Sequence, residues 1–378
     1  AFAGMTEHRQ ARATAASSAV DNFWSWRNQM YQVALKISPA QLEAVATQLY
    51  WEMLQGGYTQ VCEFHYLHHA PDGTPYADPM AMMWALVRAA QTTGIGLTLL
   101  PVLYERSGLD GAPLRDDQMR FASTADTVWA MHRAIQEKAL PNVHSGIAIH
   151  SLRAASMASI HSLLILAGNT DIPIHIHISE QTGEVDDCLA AHGKRPIDYL
   201  ASHVQLDSRW QLVHATHASH AEIDMVAKSG AGLVMCPTTE ANLGDGTTDM
   251  PRWLGAGVPL AIGSDSHVSR DWREELRWLE YGQRLQLRQR NVLASEATPS
   301  TASRLYAAAL QGGGRAAGFA QWGLQVGARA DLVVLDAKAS GLQGVPVQHV
   351  LDAYVFACDK SAVTNAIVAG QCVYQIPT

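Results

Sequence analysis

The stretch Ile172-Pro173-Ile174-His175-Ile176-His177-Ile178-Ser179-Glu180 decides the fold. From 174 to 178, isoleucine alternates with histidine. The two-residue period of a strand therefore sends His175 and His177 to one face and the isoleucines to the other. An apolar outer face and an inward face that ends in titratable groups suit a strand of a parallel α/β barrel, where sites form at the carboxyl ends of strands.

Working outward, the runs 59–64, 95–103, 143–149, 210–214, 231–236 and 259–263 are rich in Val, Ile and Leu. Most lack polar alternation, as fully buried parallel strands do. Helical patterns separate them. One opens at Ser38-Pro39, a cap followed by a first-turn proline, and runs to Gly56-Gly57. Others cover 79–93, 124–140, 156–167, 183–203 with a break near Pro196, 219–229 and 269–289. Strand–helix alternation of this kind is α/β grammar.

The fold expected is a distorted (β/α)8 TIM barrel with seven strands visible; the first is expected upstream of Ala1, and the residues up to Ser38 as the loop and helix after it. The barrel is assigned to residues 1–323. Past Gly323 the runs 332–336, 345–355, 362–368 and 372–375 read as short β segments. Residues 324–378 are therefore expected to form part of a small β-sandwich appendage.

Composition excludes several classes. Hydrophobic residues make up 48% and charged residues 16%, which indicates a well-buried globular chain. A net charge of -8 without a basic stripe argues against nucleic acid. Cys62, Cys188, Cys236, Cys358 and Cys372 form no Cys-x-x-Cys pair, which favours a reducing compartment. Glu7, Arg9, Arg12, Asp21 and Arg27 interrupt the first thirty residues, so no signal peptide is expected. The run 95–103 is far too short for a membrane span. A cytoplasmic enzyme acting on a small molecule is expected, and homodimerisation is a weak inference from ten tryptophans.

Three strand ends carry groups able to bind a metal or move a proton: His177 with Glu180 three residues on, His214, and Asp265. Each alone has an ordinary explanation as a structural histidine, a solvated glutamate or a helix cap. Their recurrence at successive strand ends points to a hydrolytic centre. Imidazole and carboxylate suit zinc, although ligand type alone also admits iron or manganese. His175, His217, His220 and His267 have no evident partner, and His267 is the best of these for orienting a ligand.

On His-x-x-Glu, the later His and Ser-Asp, the chain resembles the amidohydrolase superfamily. The segments 149–154 (Ile-His-Ser-Leu-Arg-Ala), 175–181 (His-Ile-His-Ile-Ser-Glu-Gln), 236–244 (Cys-Pro-Thr-Thr-Glu-Ala-Asn-Leu-Gly), 263–268 (Gly-Ser-Asp-Ser-His-Val) and 271–277 (Asp-Trp-Arg-Glu-Glu-Leu-Arg) are similar to formimidoylglutamate deiminases. The resemblance implies one zinc ion per subunit, with His177 and Asp265 as ligands. It implies catalytic roles for Glu180, His214 and Asp265. It implies that Arg153, His150, Tyr66 and Arg27 bind a substrate with two carboxylates. Arg is the natural bidentate partner of a carboxylate.

The superfamily's first strand supplies two further ligands as His-x-His, and this motif is absent from the chain. His68-His69 cannot replace it, because neighbouring residues on a strand face opposite ways. The polypeptide as it stands is therefore expected to bind zinc poorly and to be inactive or nearly so. Two other readings compete: a superfamily deaminase of nucleobases or nucleosides, and an inactive metal-free binding protein for acidic amino acids.

Overall fold

A computed structural model describes residues 3–6 and 23–376. Glu7, Arg9, Arg12 and Asp21, and with them part of the expected opening loop, lie outside the described residues. The elements run α1 (Phe23–Ala34), α2 (Pro39–Gln55), β1 (Gln60–His65), α3 (Ala81–Thr93), β2 (Gly96–Leu103), α4 (Ala125–Lys138), β3 (Val143–Ser145) and β4 (Ile147–Ile149). Then follow α5 (Met157–Ala167), β5 (Ile174–Ile178), α6 (Thr182–His192), α7 (Pro196–His203), β6 (Trp210–His214), α8 (His220–Ser229), β7 (Gly232–Met235), α9 (Pro237–Leu243), α10 (Met250–Gly255), β8 (Leu260–Ile262), α11 (Trp272–Leu287) and α12 (Thr301–Ala316). The chain closes with β9 (Leu332–Leu335), α13 (Val350–Phe356), β10 (Val363–Val368) and β11 (Gln371–Gln375).

The first eight strands form one parallel sheet of the distorted TIM-barrel type, in the order β1-β2-β4-β5-β6-β7-β8, with β3 also on β2. Among the described residues no strand pairs with the outer edges of β1 and β8. The single run expected at 143–149 is two strands. At Gly146 the amide bonds Leu99 and the next amide bonds Pro173, so past this point the chain keeps β2 on one side and gains β5 on the other. A Cβ at Gly146 would lie 2.6 Å from the Pro173 carbonyl, which is why glycine stands there.

The outer face of the sheet carries the main core. Ile174, Ile176 and Ile178 are fully buried with Ile147, Ile149, Leu212 and Trp210. Each such aliphatic side chain contributes about 1.5–3 kcal/mol by leaving water. The break at Pro196 separates α6 from α7 as expected, with proline at the first turn of α7.

Two readings of the last eighty residues need correction. Residues 301–316, passed over in the sequence, form α12, capped by Ser300; the triple glycine 312–314 disguises it. Residues 345–355 do not form a β segment. Val347, Val350, Leu351, Tyr354 and Val355 follow the i, i+3, i+4, i+7 spacing of a helix face, and 350–356 is α13, which packs on α11 and α12. The small sheet is antiparallel, β11-β10-β9, and lies partly against α2.

The end of α12 plugs the barrel interior. The Ala316 carbonyl accepts from His175 Nε2 at 2.8 Å and from Cys62 Sγ at 3.7 Å, and the Ala317 carbonyl accepts from Thr98 at 2.9 Å. Helix-end carbonyls that lack intrahelical partners are satisfied by inward-facing strand residues. His175 is thereby a structural donor. Close approach to β8 requires Gly312, where a Cβ would lie 2.1 Å from the Leu260 carbonyl oxygen. A Cβ at neighbouring Gly313 meets nothing within 4 Å. Gly312→Ala should therefore destabilise by about 1–3 kcal/mol through overpacking. Gly313→Ala should stabilise by about 0.5–1 kcal/mol through helix propensity. Urea unfolding of the two variants checks both signs.

Candidate active site

β5, β6 and β8 deliver their side chains to one point. His214 Nε2 lies 3.6 Å from Glu180 Oε1 and 3.9 Å from Asp265 Oδ2. One ligand atom each from Glu180, His214 and Asp265 falls within 4.8 Å of the others, a spacing able to hold a metal ion. Glu180 and His214 are buried, while Asp265 is exposed toward the cavity. His177 stands alongside, its ring stacked on that of His214 at 5.6 Å. The His177 Nδ1–H donates to the His150 carbonyl at 2.8 Å, which leaves the lone pair on Nε2. A ligating histidine needs this arrangement.

The backbone is turned sharply to achieve this. Ser179, His214, Ala215 and Asp265 have φ of 53°, 69°, 47° and 35°. Left-handed conformations of non-glycine residues cost about 1–3 kcal/mol each and persist only where the surroundings enforce them. Here buried carboxylates do so. Glu184 accepts the Ser179 and Glu180 amides, both at 3.0 Å. Glu240, on the first turn of α9, accepts the Cys236 amide at 3.0 Å and His214 Nδ1 at 3.2 Å through one oxygen. Glu275 of α11 accepts the amide and hydroxyl of Thr238 at 3.0 and 2.7 Å. Thr239 binds the Ser266 amide at 3.1 Å and so ties the Asp265 loop to α9.

Electrostatics separate the groups. Burial lifts the Glu180 carboxyl to about 8, against the pull of His214 and with the push of Asp245 and Asp265. Burial opposes the charge on His214, but Glu180, the Glu240 hydrogen bond and Asp265 outweigh it and raise the imidazole to about 10. Together the pair holds a proton firmly near neutral pH. Burial and neighbouring His214 lower His177 to about 4, so it is a neutral imidazole suited to a cation.

The same cavity, about 790 Å³, is also lined by Tyr66, His150, Arg153 and Arg27. Trp24 gathers the two arginines, with Arg27 4.5 Å and Arg153 5.2 Å from its ring. Arg153 Nη1 and Arg27 Nε are buried and have no hydrogen-bond partner among the described residues. His150 packs on Tyr104 at 4.7 Å and on Tyr66 at 5.8 Å. The Tyr104 hydroxyl accepts from Gln118 at 2.9 Å.

All eight residues singled out in the sequence thus line one cavity. Sequence reasoning missed Glu240, Glu184, Glu275, Trp24 and Tyr104. Glu240 and Glu275 gave a signal, since they lie in the quoted 236–244 and 271–277 segments, yet nothing there showed that they touch His214 and Thr238. His217 and His220 bond the Asp245 carbonyl at 2.9 Å and Asp249 at 3.1 Å, both outside the cluster. His267 is buried beside Gly4 with its Nδ1 unpartnered among the described residues.

Comparison with known proteins agrees with this geometry. Residues 8–373 match the model of the Amidohydrolase family. The chain is 46% identical over 360 residues to the formimidoylglutamate deiminase of Pseudomonas aeruginosa, spanning 95% of this chain and 79% of that protein. It is 30% identical over 260 residues to the 5-methylthioadenosine/S-adenosylhomocysteine deaminase of Halobacterium salinarum, spanning 68% and 58%. Among solved structures, an amidohydrolase from Brucella melitensis superposes with a TM-score of 0.91 at 43% identity, covering 98% of this chain and 81% of that one. An adenosine deaminase from Xanthomonas campestris with bound zinc gives 0.77 at 25% identity, covering 96% and 77%.

Burial raises Glu275 from 4.5 to about 8, with the Thr238 hydrogen bonds opposing. As pH climbs past 4.5 the unfolded chain releases this proton while the folded chain keeps it, so stability falls until about 8. Glu275→Gln removes this dependence. The melting temperature of the wild type relative to the variant should drop between pH 5 and pH 8.5, as scanning calorimetry at the two values would record.

Proposed function

We propose, from the premise that the chain belongs to the amidohydrolase family, that it hydrolyses N-formimidoyl-L-glutamate to N-formyl-L-glutamate and ammonia, a cytoplasmic step of histidine degradation. The observation that carries this reading is the arginine pair. Two guanidinium groups with buried, unpartnered N–H groups stand in the cavity of the acid–base cluster, in a protein of net charge -8. Buried unmet donors cost free energy until an acceptor arrives. A substrate with two carboxylates supplies acceptors to both, and Tyr66 and His150 lie in the same wall.

Two donors suit zinc, short of the roughly four ligands it takes: a neutral His177 imidazole with its Nε2 lone pair available, and the Asp265 carboxylate facing the cavity. Zinc bound there supplies Lewis acidity that brings the pKa of water to about 7. The chain's own residues then manage protons. Asp265 takes one from the attacking water as the C–O bond forms at the formimino carbon. Glu180, with a carboxyl near 8, carries a proton near neutral pH and delivers it to the nitrogen as the C–N bond breaks and ammonia leaves. It takes the hydroxyl proton as the carbonyl forms, while Asp265 gives its proton to the released ammonia. His214 Nε2 faces both carboxylates and polarises the reacting centre.

Likeness to methylthioadenosine and adenosine deaminases supports a second reading, nucleoside deamination. A neutral base gives two buried arginines no partner, which favours the acidic substrate. Ammonia release by the natively expressed protein, however slow, should be detected with N-formimidoyl-L-glutamate and absent with adenosine; the reverse pattern would reject the proposal. Arg153→Met should raise KM roughly 10–100-fold, the loss expected of a charged hydrogen bond. Glu180→Gln should lower kcat about 10²–10⁴-fold with KM little changed. Steady-state kinetics of the two variants separates binding from chemistry.

A further inference from the structure

We infer that Glu240 is a positioning residue that anchors the Nδ1–H of His214 and so fixes the orientation of its ring in the proposed deimination. A carboxylate oxygen only accepts hydrogen bonds. Glu240 Oε1 at 3.2 Å from His214 Nδ1 therefore holds the proton on Nδ1 and leaves Nε2 as the nitrogen that works toward Glu180 and Asp265.

Three features make this arrangement more than a passing contact. Both partners are buried, with side chains 1% and 5% exposed, so water does not compete for the bond. The same Oε1 receives the Cys236 amide at 3.0 Å, which locks the carboxylate to the end of β7. Glu275 holds the opening turn of α9 from the opposite side through Thr238. His214 itself sits at φ 69°, a conformation its neighbours must enforce. Without Glu240 the imidazole could turn over and present Nδ1 to the reacting centre. Glu240 does not line the cavity, so it touches no substrate and acts through His214.

The role rests on the proposed reaction, but its first test does not. In ¹⁵N-histidine spectra of the full chain, with His214 assigned by its loss in His214→Asn, the wild-type ring should carry on Nδ1 a proton that exchanges slowly with water. Glu240→Gln, which keeps the shape and weakens the acceptor by removing its charge, should speed that exchange roughly tenfold. A wild-type spectrum with Nδ1 bare overturns the inference without any variant, and so does unchanged Nδ1–H exchange in Glu240→Gln. In turnover, Glu240→Gln should lower kcat roughly 10–100-fold and move KM by less than about threefold, the pattern of a lost outer partner. The double variant Glu240→Gln/His214→Asn should be no slower than His214→Asn alone; additive losses would overturn action through His214. Absence of deiminase activity in the wild type would refute the substrate assignment and leave the Nδ1–H exchange measurement to judge Glu240.

Discussion

A carboxylate buried away from water must be met by donors, and in this protein the donors are the backbone amides of the strand-end loops. Glu184 takes two from the β5 loop, Glu240 one from the end of β7 together with His214, and Glu275 one from α9 together with a hydroxyl. Glu105 does the same for Ser156 at the start of α5, at 2.6 Å. Each carboxylate converts a loop that could wander into a fixed turn. Four site-region residues are held at positive φ only because this framework makes every relaxed alternative lose a charge-assisted hydrogen bond.

The interactions that fix the geometry also tune the chemistry. Crowding Glu180, Glu240 and Asp265 around one imidazole keeps His214 charged, while burial, with a push from Asp245 and Asp265, raises Glu180 toward neutral pH, and burial beside His214 keeps His177 neutral. Groups of similar intrinsic acidity are thus driven apart by their neighbours, a division of labour that acid–base catalysis needs. The arginine wall applies the same principle to recognition. Trp24 supports both guanidinium groups on its ring, so their polar edges can remain unsatisfied until an anion enters.

The parallel sheet was legible because its strands are uniform apolar runs of the right length, and β6 was read to the residue. The site was legible because chemistry-bearing groups recur at strand ends, where this architecture places them. Other features were hidden for identifiable reasons. The triple glycine in α12 reads as a helix breaker, yet Gly312 is there to let the helix approach β8. β3 and β4 lie on β2 in one register and only β4 gains β5 beyond Gly146, which no local pattern announces. In 345–355, valines suggested β structure while the spacing of apolar residues was helical, and packing on α11 and α12 followed the spacing.

From residue order came the alternation of strands and helices, the inward face of 175 and 177, and the strand-end groups His177, Glu180, His214 and Asp265, since periodicity and strand-end position are local properties; Arg153, His150, Tyr66 and Arg27 came from the family resemblance of the segments. Tertiary structure alone decided that Glu240 meets His214 across twenty-six positions, that Trp24 joins Arg27 to Arg153, and that α12 closes the barrel floor. Those outcomes depend on which buried polar group finds which partner, a choice made by the whole packed interior at once and written in no single segment.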